Sequence, residues 1–284
     1  MSVSAKTVLA GVVGAPVRHS LSPRLHNAWL EAAGIDAVYA AFAPEPERFE
    51  RFVEGLRGGV IAGLNVTIPF KARALAIADE ADALSRAAGA ANLLLFRPDG
   101  QIEARNTDGA GLIGAFRQQA PQVDFTAGPV VIFGAGGAAR GAAAALMGAG
   151  SPEVRIVNRT VGRAEALAAM LGPSVRAFAA EQTLAVVEDA VALINATSLG
   201  LGGGEGPAVP WARTPARAVA MDMVYKPLRT GFLTEAAQCG RATVDGLEML
   251  IRQAIPTFEA LFGAPPPPQV DVRGLLLRAL EAGG

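Results

Sequence analysis

"PVVIFGAGGAARGAAAALMGAG", Pro129 to Gly150, decides the fold. Val130 to Phe133 read as a buried strand, which runs into Gly134-Ala135-Gly136-Gly137-Ala138-Ala139 and then into an alanine-rich helix. This is G-x-G-x-x-A in the context the motif requires. Glycine there permits the tight turn and brings backbone N–H groups close to a pyrophosphate at the helix N-terminus. Gly-Ala-Gly also serves simple strand-to-helix turns, so the series around the motif carries the nucleotide reading. That series is "VRIVNRT", the helical "VGRAEALAAML", "VALINATS" and "AVAMDMVY", a repeated βαβ pattern that predicts a parallel sheet of Rossmann type.

The strand after the motif selects the nucleotide. A site for NAD places Asp or Glu at that strand's end, roughly 20 residues past the glycines, to hold the ribose 2′-hydroxyl. Here the positions are Asn158, Arg159 and Thr160, with Arg163 following and no acid before Glu165. Guanidinium groups and a hydroxyl suit a dianionic 2′-phosphate, since arginine offers fixed charge and paired donors. The same residues would also serve as a solvated basic helix start, and NADP is the favoured cofactor.

Outward from this unit, the first third of the chain is a second α/β region. "VLAGVVG", "AVYAAF" and "VIAGLNVTI" read as strands separated by the helical "SPRLHNAWLEAAG" and "PERFERFVEGLRGG". "LLLFRPDGQIEA" carries Pro98-Asp99-Gly100 between two strand-like runs, a hairpin signal, so this sheet is mixed. The closing segments "GLEMLIRQAIPTFEALFG" and "VRGLLLRALEA" are helical with no strand after them, and the first region, short of helices, is their expected host. Between them, Pro265 to Pro268 read as a stiff surface connector. The expected division is residues 1–107 as a substrate-binding catalytic domain, 108–245 as a Rossmann NADP-binding domain and 246–284 as helices packing back on the first.

With 284 residues, 51% hydrophobic and 18% charged, the chain buries a substantial core. A formal net charge of −1 with no charged block argues against nucleic acid or a membrane surface as partner and leaves a small molecule. Cys239 is the single cysteine, and with His19 and His26 the only histidines no convincing metal site forms; the two histidines read as polar fillers. The N-terminal segment shows no signal-peptide pattern, and the expected location is the cytoplasm, as a monomer or homodimer.

The polar positions of the first region stand out against its apolar strands. "GLNVTIPFK" holds Asn65 and Thr67 two apart and ends in Lys71 at an apparent helix start, where the macrodipole disfavours a cation by about 0.3–1 kcal/mol. "GAPVRHSLSPRLHN" places Ser20 and Ser22 before Pro23, with Ser22 also a natural N-cap. Asn92 precedes an apolar strand, and Asp108 in "RNTDGAG" precedes a helix, where it too could cap. A hydride enzyme acting on a carbonyl or alcohol needs a proton donor near the reacting oxygen; Lys71 is a candidate, with Asp108 to orient it.

At this point the residues resemble a known family. "GAPVRHSLSPRLHN", "GLNVTIPFK", "GAANLL", "NTDGAG", "GAGGAAR", "NRTVGRA", "NATSLGL", "MDMVYKPLRTGFL" and "DGLEMLIRQAIPTFEALFG" occur in the order found in shikimate dehydrogenases, over nearly the whole length. The resemblance implies an NADP-dependent oxidoreductase interconverting 3-dehydroshikimate and shikimate, a step towards chorismate and the aromatic amino acids. It implies substrate contacts from Ser20, Ser22, Asn65, Thr67, Asn92, Asp108, Tyr225 and Gln253, and catalysis by Lys71 with Asp108 beside it. Cofactor positions implied are Gly134, Ala135, Gly136, Gly137, Ala138, Ala139, Asn158, Arg159, Thr160 and Arg163, with Met223, Gly246 and Met249 near the nicotinamide. Three positions depart from the family pattern: Leu93, where Thr is usual; Glu248, for a common Gly; and Gly231, for a common Pro. Glu248 would weaken NADP binding if it pointed inward. Within the class, a quinate/shikimate or aminoshikimate dehydrogenase is the alternative; outside it, a catalytically silent NADP-binding sensor, which would have no need of Lys71 and Asp108 together with the polar set.

Overall fold

The computed structural model of the chain describes residues 3–282. The chain up to Thr107, together with the chain from Gln253 onward, forms one compact unit, and Asp108–Arg252 form another. The later boundary falls inside a continuous helix, after Arg252, rather than at its start at position 246. Apolar periodicity marks where a helix begins, but not the residue at which it leaves one unit for the next.

In chain order the first unit holds β1 (Val8–Val13), α1 (Ser22–Ala33), β2 (Ala37–Phe42), α2 (Phe49–Glu54), β3 (Gly63–Val66), α3 (Lys71–Ile77), β4 (Glu80–Ala81), α4 (Ala83–Ala88), β5 (Leu93–Phe96) and β6 (Ile102–Arg105). The second holds α5 (Asp108–Gln119), β7 (Val130–Phe133), α6 (Gly137–Gly148), β8 (Val154–Asn158), α7 (Val161–Leu171), β9 (Val175–Ala179), α8 (Thr183–Val187), β10 (Ala192–Asn195), β11 (Val219–Asp222), α9 (Gly231–Gln238) and β12 (Ala242–Val244). The chain closes with α10 (Gly246–Phe262) and α11 (Val272–Ala282). No helix among the described residues is long and apolar enough to cross a membrane.

The first sheet runs β2-β1-β3-β5-β6-β4 and is mixed: β1 is parallel to β2 and β3, whereas β5 is antiparallel to β3 and β6. The predicted hairpin joins β5 to β6, closed by the Arg97 N–H donating to the Gln101 carbonyl at 2.9 Å. One face packs Leu64, Val66, Leu94 and Ile102 against Phe49 and Phe70, whose rings stack at 4.3 Å. Each such fully buried side chain contributes about 1.5–3 kcal/mol. The chain's last helices complete this unit: Phe258 of α10 meets Trp29 of α1 edge-on at 5.5 Å, and α11 lies against α1.

The second sheet is wholly parallel, in the order β12-β11-β10-β7-β8-β9. Every residue of β7, β10 and β11 is buried, as expected of strands covered by helices on both faces. β8 lies on one side of β7 and β10 on the other, so the strand order reverses at β7. In open α/β sheets that switch point is where ligands bind, outside the strands' carboxyl ends.

Candidate active site

In the first unit the polar positions converge on one sheet edge. β1, β3 and β6 end there, and antiparallel β5 begins there. Asn65, next to last in β3, is buried and accepts the Tyr39 phenol proton at Oδ1 (2.6 Å), while its Nδ2 donates to the Asn92 carbonyl at 3.0 Å. Asn92, buried at the start of β5, accepts the Thr107 N–H at Oδ1 (2.8 Å) and donates from Nδ2 to Thr107 Oγ1 (2.9 Å), with Gln253 Oε1 at 3.5 Å. Thr107 Oγ1 lies 3.2 Å from Thr257 Oγ1, and the Thr257 hydroxyl donates to the Gln253 carbonyl one turn back along α10. Buried polar groups are costly unless paired, so this network of neutral amides and hydroxyls is fixed in place by its own bonds.

Thr67 follows β3 and is tied to β1 by its N–H, which donates to the Val13 carbonyl at 3.0 Å. Lys71 is the first residue of α3, in a first turn without an acid and with no side-chain cap from Phe70. Its carbonyl accepts the Ala91 N–H at 2.9 Å, stitching it to the residue before Asn92. Asp108 opens α5 directly after Thr107. Ser22 is buried, but the cap position falls to Leu21 and no side chain caps α1; instead the Ser20 hydroxyl oxygen receives the Ser22 N–H at 3.3 Å. The hydroxyl of Ser22 is therefore not used as a helix cap.

The two histidines separate. His19 is exposed. His26 is wholly buried, stacked on Tyr39 at 4.2 Å and edge-on to Trp29 at 5.8 Å, and neither ring nitrogen has a hydrogen-bond partner among the described residues. Burial pushes its pKa down to about 3, so the ring is neutral.

In the second unit the glycine-rich turn sits at the switch point. Gly134 has φ +110°, and a Cβ there would stand 3.0 Å from Thr197 Cγ2 and 3.1 Å from the Ala196 carbonyl oxygen, which excludes any larger residue. Gly136 and Gly137 instead face open space, with no atom within 4 Å of a Cβ position, and α6 begins there without a side-chain cap. Ala138 is exposed and Ala139 buried against the sheet. Open N–H groups in a cradle that only glycine leaves clear fit a pyrophosphate. At the end of β8, Asn158 folds back to donate to the Thr160 carbonyl at 2.9 Å, and Arg159, Thr160 and Arg163 are exposed beside it. These residues fit a dinucleotide bearing a 2′-phosphate.

At the ends of β10 and β11 lies a cluster that sequence reading left unassigned. Asp222 is fully buried, and its carboxylate accepts from Asn195 Nδ2 (3.0 Å), the Val224 N–H (2.9 Å) and Thr230 Oγ1 (2.6 Å). Burial raises its pKa, outweighing those bonds. Asn195 in turn accepts the N–H and hydroxyl of Thr197 and donates to the Leu199 carbonyl. One side-chain pair thus braces both loops, through Thr197 and Leu199 after β10 and Val224 and Thr230 after β11. Burial raises the Tyr225 pKa, keeping its phenol a neutral donor. The signal available in sequence was an acid ending an otherwise apolar strand in "VAMDM".

Gly246 opens α10 so tightly against the preceding loop that a Cβ would meet the Met223 carbonyl oxygen at 2.5 Å. Met249, one turn on, is partly buried against the sheet's core. Glu248 is buried, and Arg252 Nε donates to its carboxylate at 2.7 Å, so its charge is compensated within the helix.

A dinucleotide fold in one unit and a fixed set of neutral donors and acceptors in the other together define a two-domain α/β dehydrogenase. Comparison with known proteins narrows the class. Residues 12–94 match the shikimate dehydrogenase substrate-binding domain, and residues 117–200 match shikimate/quinate 5-dehydrogenase. The chain is 59% identical over 279 residues to the shikimate dehydrogenase (NADP(+)) of Caulobacter vibrioides, covering 98% of each. It is similar to the crystal structure of shikimate 5-dehydrogenase from Thermus thermophilus in complex with NADP(H) and shikimate (TM-score 0.82, 35% identity, 92% of this chain and 96% of that one). It is also similar to the quinate dehydrogenase of Corynebacterium glutamicum in complex with NAD (TM-score 0.84, 26% identity, 92% and 95% covered). The chain belongs to the shikimate dehydrogenase family.

Proposed function

We propose that this protein is an NADP-dependent oxidoreductase interconverting 3-dehydroshikimate and shikimate. The observation that carries the proposal is the self-satisfied network of Asn65, Asn92, Thr107, Gln253 and Thr257, a neutral hydrogen-bonding surface suited to a polyhydroxylated ring acid. The name and bound ligands of the relatives support it. Ser20, Ser22, Asn65, Thr67, Asn92, Asp108, Tyr225 and Gln253 are assigned to the substrate.

Bound NADP supplies or accepts the hydride at the ring carbon bearing the reacting oxygen. Lys71 donates a proton from Nζ to that oxygen during reduction and recovers it during oxidation, and Asp108 orients the ammonium. What supports the pairing is the path from the Lys71 carbonyl, which accepts the Ala91 N–H, through the next residue's side chain, Asn92 Oδ1, which accepts the N–H of Thr107, the residue before Asp108. Gly134 to Ala139 hold the pyrophosphate, Asn158, Arg159, Thr160 and Arg163 the 2′-phosphate, and Met223, Gly246 and Met249 border the nicotinamide. The proposal includes a cytoplasmic location, a monomeric or homodimeric state and small molecules as the ligands.

The similarity to a quinate dehydrogenase makes quinate the second substrate to test. The experiment follows reduced-nicotinamide absorbance with shikimate or quinate, each with NADP and NAD. Reduction fastest with shikimate and NADP is expected. Folded protein inert with every pair refutes the activity, and faster reduction with quinate and NAD reassigns substrate and cofactor.

A further inference from the structure

Tyr39 is held more completely than its place on a sheet edge requires. β2 is the edge strand, and the Asn27 side chain of α1 covers its open side like a short strand of its own. Asn27 Oδ1 accepts the Tyr39 N–H at 3.0 Å, and Nδ2 donates to the Tyr39 carbonyl at 2.9 Å. The adjacent His26 stacks on the Tyr39 ring at 4.2 Å with planes 10° apart. Two consecutive residues of one helix thus fix both the backbone and the ring of this tyrosine. What they aim is its hydroxyl, 1% exposed as a residue and 2.6 Å from Asn65 Oδ1.

The geometry points to Tyr39 as a positioning residue that sets the orientation of the Asn65 amide. An amide can flip, exchanging its donor and acceptor ends. With the phenol donating to Oδ1, that end is committed, and Nδ2 faces the Asn92 carbonyl at 3.0 Å and Thr257 Oγ1 at 3.5 Å. Burial holds the Tyr39 pKa well above its ordinary value, so the phenol stays protonated and stays a donor. The Thr257 contact is the long one, so the Nδ2 proton on that side is the one a substrate oxygen can take over, and Asn65 thereby selects an acceptor at that point. Removing the hydroxyl leaves Oδ1 buried without its partner, and the amide is then held only from its Nδ2 end, by the Asn92 carbonyl. This inference rests on the proposed assignment of Asn65 to substrate binding.

The test is Tyr39→Phe, alone and combined with Asn65→Ala. The single variant is expected to raise the shikimate KM about three- to tenfold, the size of one hydrogen bond's net contribution, with kcat and the NADP KM within about twofold of wild type. On the Asn65→Ala background, Tyr39→Phe is expected to change the shikimate KM less than about twofold, because the group it orients is gone. An unchanged shikimate KM in the folded single variant overturns the inference; so does an equal rise on both backgrounds. A second readout needs no substrate: the Asn65 side-chain amide resonance in 15N-labelled protein, identified by its loss in Asn65→Ala, should shift in Tyr39→Phe. A wild type inert towards shikimate refutes the proposed activity, and the resonance then decides the positioning role alone: an unmoved signal overturns it.

Discussion

Neutral His26, buried within the first unit on α1, makes the fold acid-sensitive in a defined window. Its folded pKa is about 3 against 6.5 for the free side chain, lowered by burial alone. Below pH 6.5 the unfolded chain takes up a proton that the folded protein refuses, so the group's contribution to stability falls as pH drops, until the folded ring itself protonates near pH 3. The slope is about 1.4 kcal/mol per pH unit, which amounts to about 2 kcal/mol lost at pH 5 relative to pH 7.5. The assay is urea unfolding of wild type and His26→Phe at pH 7.5, 6 and 5. The phenylalanine ring keeps the stack on Tyr39 and carries no titrating group. Its absolute stability depends on how the larger ring packs, but the change with pH does not. Between pH 7.5 and 5 wild type should lose about 2 kcal/mol more than the variant. Carboxylates held low by arginine neighbours, such as Glu103 beside Arg105, are common to both proteins and cancel in the difference. Parallel stability curves, differing by less than about 0.5 kcal/mol across the window, would mean that the folded protein accommodates a protonated His26 and would refute the reasoning.

Lys71→Ala should lower turnover by about 10²- to 10⁴-fold while calorimetric titration still detects shikimate binding; near-normal turnover removes Lys71 from the chemistry. Arg159→Ala should raise the NADP KM about 10- to 100-fold and leave the NAD KM almost unchanged, and an equal effect on both cofactors would detach Arg159 from the 2′-phosphate. For Asp222 the sign runs opposite to a salt-bridged acid. Its raised folded pKa means that its contribution is fully present below the unfolded value of 3.8 and is lost as pH rises through the folded value. Asp222→Asn should therefore gain stability relative to wild type between pH 4 and pH 8, read by urea unfolding; a relative loss over that range would show the carboxylate to be net stabilising.

The parts of the fold legible in sequence were those where one residue type answers one physical demand. Gly134 marked the turn because its positive φ admits little else, and Pro98-Asp99-Gly100 marked the hairpin that reverses β5 into β6. β4, β9 and β12 went unread, since β4 has two residues and the other two lie at the outer edges of their sheet, with partly exposed faces that dilute the apolar signal. Within the substrate unit, Asn65 and Asn92 were visible as amides in apolar strands. Tyr39, Thr107 and Thr257 were not, because an aromatic in "AVYAAF" and threonines at a strand end or in a helix look like ordinary packing or capping residues. Their role appears only once three distant segments meet. His26 shows the converse: a histidine read as a polar filler near a strand end sits instead in an aromatic stack on α1.

The distribution of charge across the two units explains why the network is neutral. Arginine suits the exposed end of β8, the place proposed for a charged 2′-phosphate, because water can solvate the cation when that site is empty. The buried sheet edge has no such freedom. An ionised side chain there would need a counter-charge in both the empty and the occupied state, or suffer the desolvation that already raises Asp222. Amides and hydroxyls avoid this because each can bond its neighbours before the ligand arrives, as Asn92 does through Thr107 and Asn65 through Tyr39. On the proposed assignment the substrate's hydroxyls take over the longest of these contacts, those of Asn65 to Thr257 and Asn92 to Gln253 at 3.5 Å, and a ring lacking one hydroxyl forgoes about 0.5–1.5 kcal/mol for each bond it cannot make. On that assignment, selectivity among polyhydroxylated rings depends on how well each bond is aimed, and a group that orients another, as proposed for Tyr39, bears on specificity without touching the substrate.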